Sequence, residues 1–306
     1  MATPKATEGR VPFSHPSLPK PCETWYKVYG DLTSSSTGRP LVILHGGPGM
    51  GHNYLLNLHR LSDQYGIPVV FYDQLGCGHS THLQEKRLDT DFWVPELFVA
   101  ELDNLLEHLG ISEFDLLGQS WTRGSMFAIR GSLGLKRLII SNSPASMKLW
   151  GEACNKWRSQ LPRDVDSALT RHEENQTYDD PEYKSAVEEF YKRHVCRVYP
   201  FPQDLLDTLA NVEVDDTVYY TMNGPSECES PSSTWTWSVV EDVHKITVPT
   251  LLLNGEWDEA RDSCVYPFFQ IPKVKWYTIP GASHCSNLEV PEKYMEVVVE
   301  FLKNAA

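Results

Sequence analysis

The chain has 306 residues, of which 41% are hydrophobic and 11% aromatic, and its formal net charge at pH 7 is −14. This composition is typical of a packed globule with a large core, built as one α/β domain with an insertion or as two domains. The negative charge argues against binding to nucleic acid and to anionic membranes, which need a basic surface. An acidic pocket for a cationic substrate would fit, although we expect most of these carboxylates to be simply solvated.

Neither the start of the chain nor its cysteines indicate secretion. Residues 1–10 are polar and resemble neither a signal peptide nor a membrane helix. The seven cysteines are scattered and form no Cys-x-x-Cys pair, so we interpret them as reduced thiols of a cytoplasmic protein. The sequence also lacks a His-Glu-x-x-His segment, and we expect no metal and no cofactor. Nothing in it indicates an oligomeric state.

The first half of the chain predicts strands that alternate with helices. Residues 1–22 are expected to wrap over the surface, and residues 24–29 alternate as an edge strand does. Continuous apolar runs predict strands buried on both faces at residues 40–44, 68–72, 114–117 and 137–140. Helical spacing predicts helices at residues 54–65, 94–109 and 125–133.

The character of the chain changes after residue 143. Up to about residue 243 it is polar and charged, with helices expected at residues 152–160, 181–193 and 204–212. Strands are expected again at residues 249–254 and 275–279, and a closing helix at residues 291–302. The pattern predicts an α/β fold with a mostly parallel central sheet. We divide it into a core (residues 1–143), an inserted helical cap (144–243) and the rest of the core (244–306).

Glycine-rich or polar turns follow the buried strands, at the edge of the sheet where open α/β folds bind ligands. The segment His-Gly-Gly-Pro-Gly at residues 45–49 can bring its backbone close to a ligand. Residues 73–80 form a second glycine-punctuated turn. Ser120 follows Gly118-Gln119 between a strand and a helix, as the nucleophile does in the Gly-x-Ser-x-Gly elbow of α/β-hydrolases.

A serine nucleophile requires a base and an acid, which in that fold come later in the chain. Asp258 follows the buried strand at residues 249–254, and His284 follows the strand at residues 275–279. His284 would accept the proton of Ser120, and Asp258 would orient the imidazole. The backbone N–H groups of Gly47 and Trp121 would stabilise the oxyanion.

Together, the segments His-Gly-Gly-Pro-Gly (45–49), Asp-Gln-Leu-Gly-Cys-Gly (73–78), Gly-Gln-Ser-Trp (118–121) and Asn-Gly-Pro-Ser-Glu (223–227) resemble the proline iminopeptidase family of α/β-hydrolases. Within that family, the segments resemble those of the tricorn-interacting aminopeptidases and L-amino-acid amidases. The resemblance runs from about residue 28 to the C-terminus and is thin inside the cap. It implies an α/β-hydrolase fold with a helical cap and an enzyme that acts on a small peptide or amino-acid amide.

The resemblance also implies how the substrate is recognised. The family removes an N-terminal residue, often proline, and binds the free α-amino group with glutamates, which match Glu227 and Glu259. Two buried carboxylates suit an ammonium group, because the attraction grows as water is excluded. Tyr219 and Tyr54 match aromatic or hydrogen-bonding positions near that pocket.

Some residues depart from the family pattern. Thr122 and Arg123 replace the usual Gly-Gly or Gly-Ser after the tryptophan, and Leu75 replaces a common arginine. A β-branched Thr122 should strain the packing of the elbow helix, and Arg123 places a positive charge at the unfavourable end of that helix. Two alternatives therefore stay open: a hydrolase of specialised metabolism that uses the same triad on an ester, thioester or unusual amide, and a non-catalytic binding protein on this scaffold.

Overall fold

The computed structural model describes residues 6–33, 38–121, 123–227 and 235–304. Its centre is an eight-stranded sheet in the order β1, β2, β4, β3, β5, β6, β7, β8. The strands are β1 (Ala6–Phe13), β2 (Cys22–Tyr29), β3 (Leu41–Leu44), β4 (Val69–Tyr72), β5 (Phe114–Gln119), β6 (Leu135–Ser141), β7 (Thr250–Gly255) and β8 (Val274–Ile279). Strands β3 to β8 are parallel, whereas β1 and β2 run antiparallel to their neighbours. The prediction of a mostly parallel sheet is confirmed.

The edge of the sheet differs from the prediction. Strand β1 is the edge strand and pairs with β2 along its whole length, so residues 6–13 do not wrap over the surface and residues 24–29 do not form the edge. Only Val11 and Phe13 of β1 are fully buried. Charged residues and Pro12 are typical of an edge strand, where exposed N–H groups would otherwise pair with other chains. The same polarity made the segment resemble a loop.

The central strands are buried on both faces, as their apolar sequences predict. Every residue of β3, β4 and β5 is buried. Side chains alternate between two cores: Val42 and Leu44 pack on one side of the sheet, and Leu41 and Ile43 on the other. Because β3 to β8 are parallel, their carboxyl ends lie at one edge of the sheet, where the loops that carry the candidate site begin.

Helices cover both faces of the sheet. A 3₁₀ helix (Asn53–His59) leads into α1 (Arg60–Tyr65), where the sequence predicted one continuous helix. The other core helices are α2 (Pro95–His108), α3 (Arg123–Arg130), α9 (Asp262–Val265), α10 (Ser286–Glu289) and α11 (Pro291–Asn304). Among the described residues, no helix is long and apolar enough to span a membrane.

Five helices lie between β6 and β7, in the region predicted as a cap. They are α4 (Met147–Arg158), α5 (Arg163–Asn175), α6 (Pro181–His194), α7 (Gln203–Val214) and α8 (Thr217–Met222). The prediction found α4, α6 and α7 but missed α5 and α8. The apolar residues of α5 do follow helical spacing, at Val165, Ala168 and Leu169, but charged residues surround them, and α8 has fewer than two turns. The chain enters and leaves this region side by side, because Ser146 pairs with Ser238. The division at residues 144 and 243 stays a prediction.

Candidate active site

Ser120 lies on a sharp turn between β5 and α3. Its backbone is left-handed, with φ of 62°, which is a strained conformation for a residue with a side chain. The helix crosses the strand closely because Gly118 and Gly124 face each other: a Cβ on Gly118 would lie 3.5 Å from the backbone of Gly124. A strand, a left-handed serine and a closely packed helix are the features expected of a nucleophile elbow, which makes Ser120 the candidate nucleophile.

Thr122 and Arg123 follow Trp121 and depart from the family pattern, and the structure describes only Arg123. Thr122 lies outside the described residues, so the strain expected there stays a prediction. Arg123 is the first residue of α3, and its side chain is buried, donates a hydrogen bond to Gln74 Oε1 and lies 4.4 Å from the ring of Phe98. Burial lowers the pKa of Arg123 to about 10, so the group is still charged at neutral pH. The cation therefore packs inside the protein beneath the elbow.

His284 and Asp258 form a hydrogen-bonded pair. The Nδ1 atom of His284 lies 2.8 Å from Oδ1 of Asp258, whose side chain is fully buried. The carboxylate accepts a hydrogen bond from the Nδ1–H group, which leaves Nε2 free to act as the base. His284 and Ser120 line the same cavity. The loops after β5, β7 and β8 thus bring the three candidate catalytic residues together at one edge of the sheet.

A fourth residue, Asn142, holds the candidate acid. It follows β6 with a left-handed φ of 54°, and its Nδ2 atom donates to Asp258 Oδ2 over 2.6 Å. Its Oδ1 atom accepts hydrogen bonds from the hydroxyl groups of Ser141 and Ser286. Sequence reasoning missed this role. The available signal was its position after a buried strand at the same edge of the sheet as Ser120 and Asp258.

The glycine-rich loop after β3 lies against the elbow. A Cβ on Gly46 would lie 2.6 Å from Cβ of Ser120, so only glycine fits there. Gly47 lines the cavity with a φ of 112°. Within the part of the chain that the structure describes, the N–H groups of Gly47 and Trp121 have no hydrogen-bond acceptor. Two free backbone donors beside a nucleophile are what an oxyanion hole requires.

Tyr54 and His45 hold this loop in place. The hydroxyl group of Tyr54 accepts a hydrogen bond from Gly46 N–H over 2.8 Å and donates one to Gln119 Oε1. Burial lowers the pKa of His45 to about 3, so its imidazole is neutral. Its Nδ1–H donates to the carbonyl of Gly46 and its Nε2 accepts from Gln74 N–H. Tyr54, predicted to bind substrate, lines the cavity and also orders both segments that flank the elbow.

Glu227 and Glu259 are buried in the same cavity. Oε1 of Glu227 accepts hydrogen bonds from Tyr219 OH (2.8 Å) and Asn223 Nδ2 (3.3 Å). Neither carboxylate oxygen of Glu259 has a hydrogen-bond partner among the described residues, and its Oε1 lies 3.6 Å from Nε2 of His284. Burial raises the pKa of both glutamates, and the charge of Glu227 raises that of Glu259 further. Two buried carboxylates placed this way would stabilise a cation bound between them.

Tyr219 lies behind Glu227 rather than in the catalytic cavity. Its ring is buried and lines a separate groove in the cap, while its hydroxyl group orients the carboxylate. The prediction that Tyr219 binds substrate stays a prediction; in the structure its hydroxyl group contacts Glu227, and Tyr219 does not line the catalytic cavity.

The cavity is small and mostly apolar, with a volume of about 40 Å³. None of its described lining residues is lysine or arginine. The lining consists of Gly47, Met50, Tyr54, Gln119, Ser120, Tyr191, Val195, Phe201, Leu205, Thr208, Leu209, Glu227, Glu259, His284 and Cys285. Burial raises the pKa of the Cys285 thiol well above its usual range, so this cysteine is a neutral wall residue.

The cap is hydrogen-bonded to the loops that carry the acid and the base. The carbonyl groups of His194 and Val195 accept the N–H groups of His284 and Cys285. The indole Nε1 of Trp157 donates to the carbonyl of Asp258 over 2.7 Å. The insertion therefore closes the cavity and also fixes the acid–base pair.

One group of possible metal ligands exists among the described residues, at the surface of the cap. It consists of His172, Asp180 and Glu182, and Glu182 already forms an ion pair with Arg171. None of these residues lines the catalytic cavity. The expectation that the protein needs no metal stays a prediction.

Comparisons with known proteins agree with the fold. The pattern of the alpha/beta hydrolase fold family matches residues 39–291. The chain is 31% identical to a proline iminopeptidase of Lactobacillus helveticus, over 96% of this chain and 97% of that protein. It belongs to the proline iminopeptidase family of α/β-hydrolases.

Two crystal structures extend the comparison to three dimensions. A proline iminopeptidase of Mycobacterium smegmatis is 44% identical with a TM-score of 0.89, covering 98% of each chain. The structure of VinJ, also 44% identical, has a TM-score of 0.94 and covers 99% of this chain and all of that one. Membership of the proline iminopeptidase family confirms the resemblance drawn from the four sequence segments.

Proposed function

We propose that the protein is a serine hydrolase that acts on substrates with a free α-amine. It cleaves a small N-terminal residue from a peptide, or hydrolyses the amide bond of an amino-acid amide. The observation that carries this proposal is the pair Glu227 and Glu259, buried beside the candidate base in a cavity whose described lining contains no lysine or arginine. Two buried carboxylates without a cation are unfavourable in the free protein, and the substrate ammonium group would relieve that cost.

The chemistry follows the acyl-enzyme route of serine hydrolases. His284 Nε2 takes the proton of the Ser120 hydroxyl group while its oxygen attacks the scissile carbonyl carbon. The N–H groups of Gly47 and Trp121 stabilise the oxyanion, and each such donor is worth about 3 kcal/mol of barrier. The imidazolium returns its proton to the leaving amine as the C–N bond breaks. Water then attacks the acyl-enzyme, again with His284 as base, and releases the carboxylic acid with Ser120 restored.

The position of the two glutamates relative to the triad supports cleavage next to the free amine. Glu259 directly follows Asp258, and its Oε1 lies 3.6 Å from Nε2 of His284. An ammonium group bound between Glu227 and Glu259 is thus held close to the reacting carbonyl, as an N-terminal residue requires. Burial raises the pKa of both carboxyl groups, and a cation bound between them would lower both values again.

The size of the cavity supports a small, apolar N-terminal residue. Its volume of about 40 Å³ in the free protein leaves little room for a large side chain. The walls beside the glutamates are apolar, with Val195, Phe201 and Leu205 among them. The relatives named proline iminopeptidase are consistent with proline as such a residue.

A panel of aminoacyl anilides, each with a free and an N-acetylated amine, tests the proposal. We expect cleavage of the free-amine compounds, with prolyl and alanyl anilides preferred to leucyl and phenylalanyl ones, and no measurable cleavage of the acetylated ones. Ser120→Ala should abolish turnover. Equal cleavage of acetylated compounds would refute the role of the glutamates, and activity on simple acyl esters alone would favour the specialised-metabolism alternative. Residual turnover by Ser120→Ala would refute the mechanism.

A further inference from the structure

A large groove in the cap opens next to the catalytic cavity. Its volume is about 1120 Å³, many times that of the cavity. Four residues line both spaces: Met50, Tyr191, Phe201 and Leu209. The cavity and the groove are therefore neighbours on either side of these residues, and a substrate whose amino end is held between the two glutamates would extend toward the groove.

Two amphipathic helices form the walls of the groove. Helix α6 contributes Tyr183, Val187 and Tyr191, which recur every fourth residue and so lie on one face. Helix α7 contributes Leu206 and Leu209, three residues apart on its own face. Leu206 is 41% exposed and Tyr199, between the two helices, is 59% exposed. Large apolar side chains left open to solvent along a continuous groove are typical of a binding surface.

Aromatic rings and carboxylates dominate the surface of the groove. Six tyrosines line it: Tyr178, Tyr183, Tyr191, Tyr199, Tyr219 and Tyr220. Among the described residues, five carboxylates and two cations face it, and both cations pair with carboxylates, Arg87 with Asp216 and Lys184 with Asp179. The groove therefore presents flat aromatic faces with hydroxyl groups at their tips and an excess of negative charge.

We propose that this groove binds the part of a peptide substrate that follows the scissile bond, over several residues that are apolar or proline and carry no negative charge. The inference rests on the proposed function, which places the amino end of the substrate in the cavity. Aromatic-lined grooves bind extended and proline-rich segments, and tyrosine hydroxyl groups can pair with the peptide backbone. A dipeptide would bring its terminal carboxylate close to the acidic lining, whereas a longer or amidated peptide would not. The preferred substrate is thus an oligopeptide rather than a dipeptide or a free amino-acid amide.

A peptide series with one common N-terminal residue, chosen from the anilide panel, tests this inference. The series is the amino-acid amide, the dipeptide X-Ala, and the tetrapeptide amides X-Ala-Pro-Phe, X-Ala-Pro-Arg and X-Ala-Pro-Glu. We expect kcat/KM to rise at least about tenfold from the amino-acid amide to the Phe and Arg tetrapeptide amides, mainly through KM. The dipeptide and the Glu tetrapeptide should gain little.

The variant Leu206→Glu probes the groove without touching the catalytic residues. The leucine is exposed and lies on a helix, so glutamate is tolerated there. It should raise KM for the Phe tetrapeptide amide by about fivefold or more and leave the amino-acid amide unchanged. The control Leu133→Glu replaces a leucine that is 98% exposed and does not line the groove, and it should change neither substrate.

The outcomes separate this inference from the proposed function. A kcat/KM that is independent of peptide length, or an equal effect of Leu206→Glu on long and short substrates, would overturn the groove assignment while the free-amine activity stands. A gain for alanyl amides of long-chain alkylamines, with none for peptides, would overturn the peptide assignment in favour of a lipid-like leaving group. If the amino-acid amide and every other free-amine compound resist cleavage, the proposed function itself fails.

Discussion

Replacing Asn142 with glycine should slow catalysis without weakening substrate binding. The side-chain amide of Asn142 donates to Oδ2 of Asp258 over 2.6 Å, the distance of a short, charge-assisted hydrogen bond. Such a bond is worth about 1.5–3 kcal/mol. If it acts only by keeping Asp258 aimed at His284, its loss appears in kcat as a decrease of roughly 10- to 150-fold, and KM stays constant.

Glycine and alanine at this position separate two effects. Asn142 has a φ of 54°, which glycine adopts freely and which costs alanine about 1–2 kcal/mol. Both variants lose the amide, so both should show the same decrease in kcat. Asn142→Ala should also have a melting temperature a few degrees below that of Asn142→Gly.

Steady-state kinetics on a prolyl anilide, with thermal unfolding of both variants, measures these quantities. The positioning role of Asn142 is refuted if both variants keep kcat within about twofold of the parent protein. If Asn142→Ala alone loses activity, the backbone conformation matters and the hydrogen bond to Asp258 does not.

Three further substitutions test other parts of the site. Burial raises the pKa of Glu259 well above its usual 4.5, so this carboxyl group lowers the stability of the fold as pH rises above that value. In kinetic assays, Glu259→Gln should lower kcat/KM on a free-amine substrate at least roughly 30-fold. In melting assays it should raise the melting temperature at pH 8 and not at pH 4, and a lower melting temperature at pH 8 would contradict this. Tyr54→Phe removes the hydroxyl group that is hydrogen-bonded to Gly46 and Gln119 and so loosens the loop beside Ser120. It should lower kcat about tenfold or more, and an unchanged kcat would contradict this role. Outside the cavity, Glu101 of α2 is fully buried and accepts hydrogen bonds from Thr24 and Leu75. Burial raises its pKa from 4.5 to about 7, so the stability that its proton contributes is lost as pH rises through that interval. In denaturant titrations, the free energy of unfolding of Glu101→Gln should therefore fall less steeply between pH 5 and pH 8 than that of the parent protein, and equal slopes would count against this.

The sequence was most informative where one short segment determines the local structure. The apolar runs predicted the central strands because burial on both faces leaves no room for polar residues. Since the carboxyl ends of parallel strands meet at one edge, the order of Ser120, Asp258 and His284 predicted that they would approach each other. The structure brings His284 within 2.8 Å of Asp258 and places His284 and Ser120 in one cavity.

Contacts between segments that are far apart in the chain could not be predicted from these local sequence patterns. Asn142 follows β6 as a polar turn residue, and its left-handed backbone, which turns the amide toward Asp258, has no counterpart in a pattern of apolar spacing. Tyr219 contacts Glu227 from behind because α8 packs between the glycine-rich loop and the groove. Arg123 looked unfavourable on its helix, but Gln74 and Phe98 supply partners for its buried side chain.

Trapping the acyl-enzyme tests the central claim most directly, because it identifies the nucleophile and the role of the amine together. The protein is mixed with a prolyl ester and, separately, with its N-acetylated counterpart, quenched in acid within the first turnover, digested and analysed by mass spectrometry. We predict a prolyl adduct on the peptide that carries Ser120, formed from the free-amine ester only. An adduct on Cys285 or elsewhere, or equal labelling by the acetylated ester, would contradict the assignment of a serine hydrolase that recognises a free α-amine.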